Sequence, residues 1–125
     1  MDEELDLVAL VERYAAVTSS MDVDAYAALF STDCVREDPV GQPANLGRGE
    51  VRASWQGVID GAKSVTFTPS DVHVVANRAA YHFEVRVQLE GATVTINGIE
   101  TFVFNNDGEI SEMRAYWSND DLVVG

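Results

Sequence analysis

The sequence predicts an α+β fold, with helices gathered before an antiparallel sheet and packed on one of its faces. Two observations carry this. Up to about Ile59 the apolar residues recur at helical spacing, interrupted by one short strand. From Lys63 onward the period changes to two, with turn residues at Pro69-Ser70-Asp71, Asn77-Arg78, Gly91 and Asn105-Asn106-Asp107-Gly108.

Residues 3 to 19 read as the first helix, since Leu7, Val8, Val11, Tyr14, Ala15 and Thr18 share a face. Glu3, Glu4 and Asp6 fall in its first turn, where the helix dipole favours anions. Tyr14 lies on the apolar stripe, so its ring is buried and its hydroxyl needs a partner. Asp22 reads as the N-cap of a short second helix whose inner face is Val23, Tyr26, Ala27 and Phe30. The turn Ser31-Thr32-Asp33 then leads into a short strand ending at Asp38, before Pro39 and Gly41. The residue before a proline is biased to extended angles, so a stiff element presents the Asp38 carboxylate.

Gln42 to Gly47 reads as a loop without periodicity. A third helix from about Arg48 to Ile59 carries Val51, Trp55, Val58 and Ile59 on one face. Strands follow at 64–68, 72–76, 79–90, 93–104 and 109–117, and a short acidic tail closes the chain. In the long strand from 79, Tyr81, Phe83, Val85, Val87 and Leu89 face one way, with His82, Glu84, Arg86 and Gln88 opposite.

A length of 125 residues suits one domain, spanning 1–125. A domain of that size buries roughly two thirds of its unfolded surface, enough for a core with a modest pocket. Acids outnumber bases 21 to 8, which leaves no basic surface for nucleic acid and disfavours anionic membranes. That balance does not oppose a neutral, apolar small molecule. Cys34 is the single cysteine, so no intrachain disulfide forms. The acidic start and the absence of a long apolar run make a cytoplasmic location the expectation.

On the strand 93–104, Val94, Ile96, Gly98, Glu100, Phe102 and Phe104 share a side. Glu100 therefore falls on an apolar face. Either desolvation keeps it protonated, so that it can donate a hydrogen bond, or it sits at a bulge or strand end and reaches water. Gly98 suits close approach of a ligand or a bend in the sheet. Met113, Ala115 and Trp117 share a face that is either plain core or the lining for a flat apolar ligand. A phenol, a neutral carboxyl and a carboxylate around an apolar cavity match proton abstraction beside a carbonyl, with two donors for the enolate oxygen and one base. His73 and His82 lack a partner at metal-ligating spacing, so no metal site is predicted.

Three blocks carry a family resemblance: Arg13-Tyr14, Glu37-Asp38-Pro39-Val40-Gly41 running into Gln42-Pro43, and Ala115-Tyr116-Trp117-Ser118. Their order and spacing resemble the ketosteroid isomerases, within the nuclear-transport-factor-2-like superfamily, over nearly the whole chain. The resemblance implies a cone: a curved, mostly antiparallel sheet wrapped by three N-terminal helices, with the pocket inside. It also implies a homodimer joined through the sheet, and an apolar steroid substrate with no metal or organic cofactor. Asp38 then becomes the general base, Tyr14 the main oxyanion donor and Glu100 the second donor. Ketosteroid isomerase is itself the standard example of a carboxylic acid held neutral near pH 7. Phe30, Trp55, Phe83, Phe102, Met113, Ala115 and Trp117 are the expected substrate-binding residues.

Four residues depart from the family pattern. Glu100 replaces the usual Asp and is longer by roughly 1.5 Å. Phe30 and Trp55 stand where some members carry tyrosines behind the catalytic one, which leaves Tyr14 without that support. Arg36 replaces an apolar residue two positions before the base and is expected to swing to solvent, because a guanidinium pointing inward would weaken that base. Two other functions fit the same residues: another enzyme on this scaffold, such as a polyketide cyclase-like enzyme or a dehydratase, and a non-catalytic steroid- or lipid-binding module.

Overall fold

The structure is a computed structural model and describes residues 5–125. Helix α1, Leu7–Ser20, starts after Asp6, whose carboxylate accepts from the Ala9 N–H at 3.1 Å. Asp6 is thus an N-cap and not a first-turn residue; Glu3 and Glu4 lie outside the described residues. Leu7, Val11, Tyr14, Ala15 and Thr18 are buried as their spacing predicts, whereas Val8, one step round the helix, is exposed. Helix α2, Val23–Ala28, is capped by Asp22, which accepts from the Ala25 N–H at 3.0 Å.

Phe30 belongs to the next element. Strand β1 runs Phe30–Glu37, and its register against a partner strand slips between Phe30 and Val35. The expected turn at Ser31-Thr32-Asp33 is therefore an irregular stretch of strand. Strand β2, Asn45–Leu46, lies in the expected loop and pairs antiparallel with β1, setting Asn45 opposite Arg36. Helix α3, Arg48–Asp60, buries Val51 and Trp55.

Strands β3 (Ser64–Val75), β4 (Arg78–Leu89), β5 (Ala92–Phe104) and β6 (Ile110–Tyr116) form an antiparallel meander. Pro69-Ser70-Asp71 does not break β3 in two. The register slips between Ser70 and His73, and Asp71 takes a φ of 52°, so the strand bulges and continues. Pro69 is tolerated because β3 is an edge strand, where a missing N–H leaves no gap in a ladder. Strand β1 adds parallel to β6, which completes the order β2-β1-β6-β5-β4-β3.

The tail also does more than expected. Ser118 and Asp121 close a capping box around a 3-10 turn. Strand β7, Leu122–Val124, then pairs with Val94–Ile96 of β5, past the point where β6 leaves it. The sheet is curved, mixed and unclosed, and the three helices accompany it as the cone requires. Among the described residues no helix is long and apolar enough to cross a membrane.

The concave face carries the core. Tyr81, Phe83, Glu100, Phe102 and Phe104 are buried there, while His82 faces outward and is exposed. Helix α1 lies across this face, where Tyr14 meets Phe67 and Phe102 edge-on at 5.3 and 4.9 Å. Burial of each such ring contributes about 1.5–3 kcal/mol. Gly98 serves the sheet itself. A Cβ there would sit 2.5 Å from the Tyr116 carbonyl oxygen and 3.0 Å from the Phe83 ring. Backbone cannot yield as a side chain can, so Gly98→Ala should cost about 1–3 kcal/mol. Urea denaturation would show this as a lowered midpoint at unchanged slope.

Candidate active site

A cavity of about 180 Å³ opens between the helices and the concave face. Its polar lining includes Tyr14, Tyr26, Arg36, Asp38 and Glu100. Its apolar wall includes Trp55, Phe67, Phe83, Val85, Ile96 and Trp117. Of the sequence-predicted site, Asp38, Tyr14, Glu100, Trp55, Phe83 and Trp117 all meet here.

Phe30, Phe102, Met113 and Ala115 do not line the cavity; they are core. Phe30 packs behind Tyr26 at 5.3 Å, and Phe102 supports the Tyr14 ring. Met113 offers its sulfur to the Tyr14 hydroxyl at 3.7 Å, and the Ala115 carbonyl holds the Val40 N–H at 2.9 Å. Alternation along a strand assigns a residue to a face, but not to the part of that face left uncovered.

Asp38 follows β1 directly, and both of its oxygens are engaged. Trp117 Nε1 donates to Oδ1 at 2.8 Å, and Arg36 Nη2 donates to Oδ2 at 3.0 Å. Arg36 thus turns inward instead of swinging to solvent, and only 5% of it is exposed. The cause lies in strand geometry. Residues two apart share a face, so Arg36 and Asp38 point the same way. The other guanidinium nitrogens are engaged as well: Nε by the Tyr26 hydroxyl at 3.2 Å and Nη1 by Asn45 Oδ1 at 2.9 Å. Burial pulls the Arg36 pKa down, but Tyr26 and Asp38 outweigh it and hold the group above its ordinary value, so it stays charged.

Tyr14 is not left without support. Its hydroxyl lies 3.0 Å from that of Tyr26, which comes from α2 and stacks on Trp55 at 4.7 Å. Burial, with Glu100 and Tyr26 next, raises the Tyr14 hydroxyl well above the usual phenol range, so it stays a proton donor. Tyr26 carried the same signal as Tyr14, a phenol on an apolar helix face.

Glu100 is 2% exposed, which excludes the alternative in which it reaches water. Tyr81, directly across the β4–β5 ladder, donates to its Oε1. Burial first, then the Asp38 charge, pushes the carboxyl up to about 8, against smaller opposing effects from Tyr81 and Arg36. At pH 7 it is mostly neutral. Tyr81 was readable in principle: counting back from the Glu90–Gly91 turn pairs it with Glu100.

A folded-state pKa raised above the unfolded one gives stability that is full below the unfolded value and lost as pH rises through the folded value. The Glu100 contribution should therefore fall between about 4.5 and about 8. The slope approaches about 1.4 kcal/mol per pH unit. Glu100→Gln should flatten that part of a stability–pH curve measured by denaturation; an unchanged slope would contradict a neutral buried acid.

Residues 11–113 match the SnoaL-like domain family. The chain is 34% identical over 119 residues to a steroid Delta-isomerase from Nocardioides simplex, with 95% of each chain covered. It therefore belongs to the ketosteroid isomerase family, a family of isomerases. Solved structures share the fold. SalBIII, described as an epoxide hydrolase/cyclase-like enzyme in pyran ring formation in polyether salinomycin, superposes at a TM-score of 0.88 and 24% identity over all of both chains. RV0760c from Mycobacterium tuberculosis superposes at 0.88 and 22%, again over all of both chains. A computationally designed 17-OHP binder superposes at 0.85 and 23%, over 94% of this chain and 96% of its own.

Proposed function

We propose that the protein is a steroid delta-isomerase, converting 3-oxo-delta-5 steroids to 3-oxo-delta-4 steroids. One observation carries the reading: a buried carboxyl and a carboxylate held in an ion pair face a single cavity. Glu100 is buried with its carboxyl pushed up to about 8, while Asp38 forms an ion pair with Arg36. Tyr14 adds a second neutral donor beside Glu100. In this mechanism Asp38 removes the proton from the carbon between ketone and alkene. Tyr14 and neutral Glu100 hold the dienolate oxygen, and Asp38 returns the proton two carbons along. Both Asp38 oxygens already accept one hydrogen bond, and each keeps a lone pair for the travelling proton. Trp55, Phe83 and Trp117 supply apolar contact to the rings.

The cavity is smaller than the roughly 300–1,000 Å³ usual for drug-sized ligands. It therefore takes the ketone ring and its neighbour, and the remaining rings lie toward its open side. The reading includes a homodimer through the outer face of the sheet, where the paired residues Ile99 and Tyr116 are 41% and 47% exposed. Sedimentation equilibrium tests that part. The reaction is tested by adding a delta-5 3-ketosteroid and following the ultraviolet absorbance of the conjugated enone. Growth of that absorbance supports the reading.

The grip of Arg36 on Asp38 favours a second reading, a non-catalytic steroid-binding module, because both carboxylate oxygens are already held by protein donors. Tight binding without absorbance growth would establish it. Absence of steroid binding would point to another enzyme on the scaffold, cyclase-like or a dehydratase.

A further inference from the structure

The geometry points to Arg36 as a positioning residue that couples the two halves of the site, aiming the Tyr14 proton through Tyr26 while it holds Asp38. The argument is one of donors and acceptors. A guanidinium only donates, so the Tyr26 oxygen accepts from Arg36 Nε at 3.2 Å. Tyr26 is fully buried, and among the described residues its hydroxyl meets only Arg36 and Tyr14. A buried hydroxyl proton without a partner is costly, so that proton goes to the Tyr14 oxygen. Tyr14 is thereby an acceptor toward Tyr26, and its own proton is free. It faces the Met113 sulfur at 3.7 Å, a weak acceptor. A carbonyl or enolate oxygen in the cavity, a far better acceptor, draws it away.

Were Tyr14 to donate to Tyr26 instead, Tyr14 would have no proton left for a ligand and the buried Tyr26 proton would lose its protein acceptor. Arg36 disfavours that arrangement by occupying the Tyr26 oxygen, and its Nη2 at the same time fixes Asp38 Oδ2 at 3.0 Å. Asn45 on β2 braces the guanidinium at 2.9 Å. The catalytic meaning of this coupling rests on reading Tyr14 and Asp38 as donor and base; the direction of the hydrogen bonds does not.

The test uses 2-naphthol, a two-ring phenol whose neutral and ionised forms absorb differently. Its bound ionised-to-neutral ratio reports how strongly the site donates to an oxygen, whether or not the protein turns over a steroid. Arg36→Met and Tyr26→Phe should each lower that ratio about ten-fold, the effect of one charge-assisted hydrogen bond. The double variant should be no lower than the lower single, since both break one chain. Arg36→Lys keeps the charge but not the planar fork, and should also lower the ratio. Tyr26→Phe leaves the Arg36–Asp38 pair intact, so it stands in if Arg36→Met does not fold. Ratios unchanged in the variants, or losses that multiply in the double variant, would overturn the coupling. A protein that isomerises no steroid yet ionises naphthol in an Arg36-dependent way would keep the coupling and sink the reaction. An active isomerase with Arg36-independent ionisation would do the reverse.

Discussion

Asp38→Asn is expected to lower isomerase turnover by about 10²–10⁴-fold, the usual worth of a positioned general base. The substitution preserves shape and removes the proton acceptor. Substrate binding should change little, because the apolar wall, Tyr14 and Glu100 all remain. Stability should fall as well, for a reason specific to this chain. Asp38 accepts from Trp117 on one oxygen and from Arg36 on the other. An amide has one oxygen, so either orientation sets its NH₂ against a donor. Breaking a fully buried ion pair costs about 3–5 kcal/mol, and the partial exposure of Asp38, at 21%, places the cost below that. Enone absorbance gives turnover and thermal unfolding gives stability. A turnover loss smaller than ten-fold would mean that the base lies elsewhere.

The fold was legible wherever one side chain's periodicity decided the outcome. The buried stripe of α1 and the alternation of β4 and β5 are the spacing in the sequence made visible. What escaped was structure decided by a partner strand. Strand β2 has two residues and no pattern of its own, and exists because β1 offers an edge. Strand β7 forms on the stretch of β5 that β6 leaves open. The bulge at Ser70–His73 turns a sequence that reads as a break into a bend. The site divides along the same line. Asp38, Tyr14 and Glu100 were readable as chemical types on identifiable faces. Arg36, Tyr26 and Tyr81 act by meeting a particular atom from another element, and a charged side chain on a short strand reads as solvated until its three partners are in place.

Tyr14→Phe is expected to cost about 10²–10³-fold in turnover, as loss of one oxyanion donor does elsewhere. The loss should fall in turnover more than in apparent substrate affinity, because the bond strengthens as charge develops on the oxygen. Removing the hydroxyl also strands the buried Tyr26 proton, at a stability cost of about 1–3 kcal/mol. Glu100→Gln should do less harm to turnover, and the geometry says why. Glu100 accepts from Tyr81 with one oxygen and, when neutral, can donate from the other. Glutamine reproduces both halves, with a carbonyl for Tyr81 and an NH₂ for the oxyanion. Phenylalanine at position 14 reproduces neither the donor nor the acceptor that Tyr26 requires. The order Tyr14→Phe worse than Glu100→Gln therefore follows from which substitution keeps the proton count of its site. If the order were reversed, the carboxyl would be the principal donor and the phenol its support.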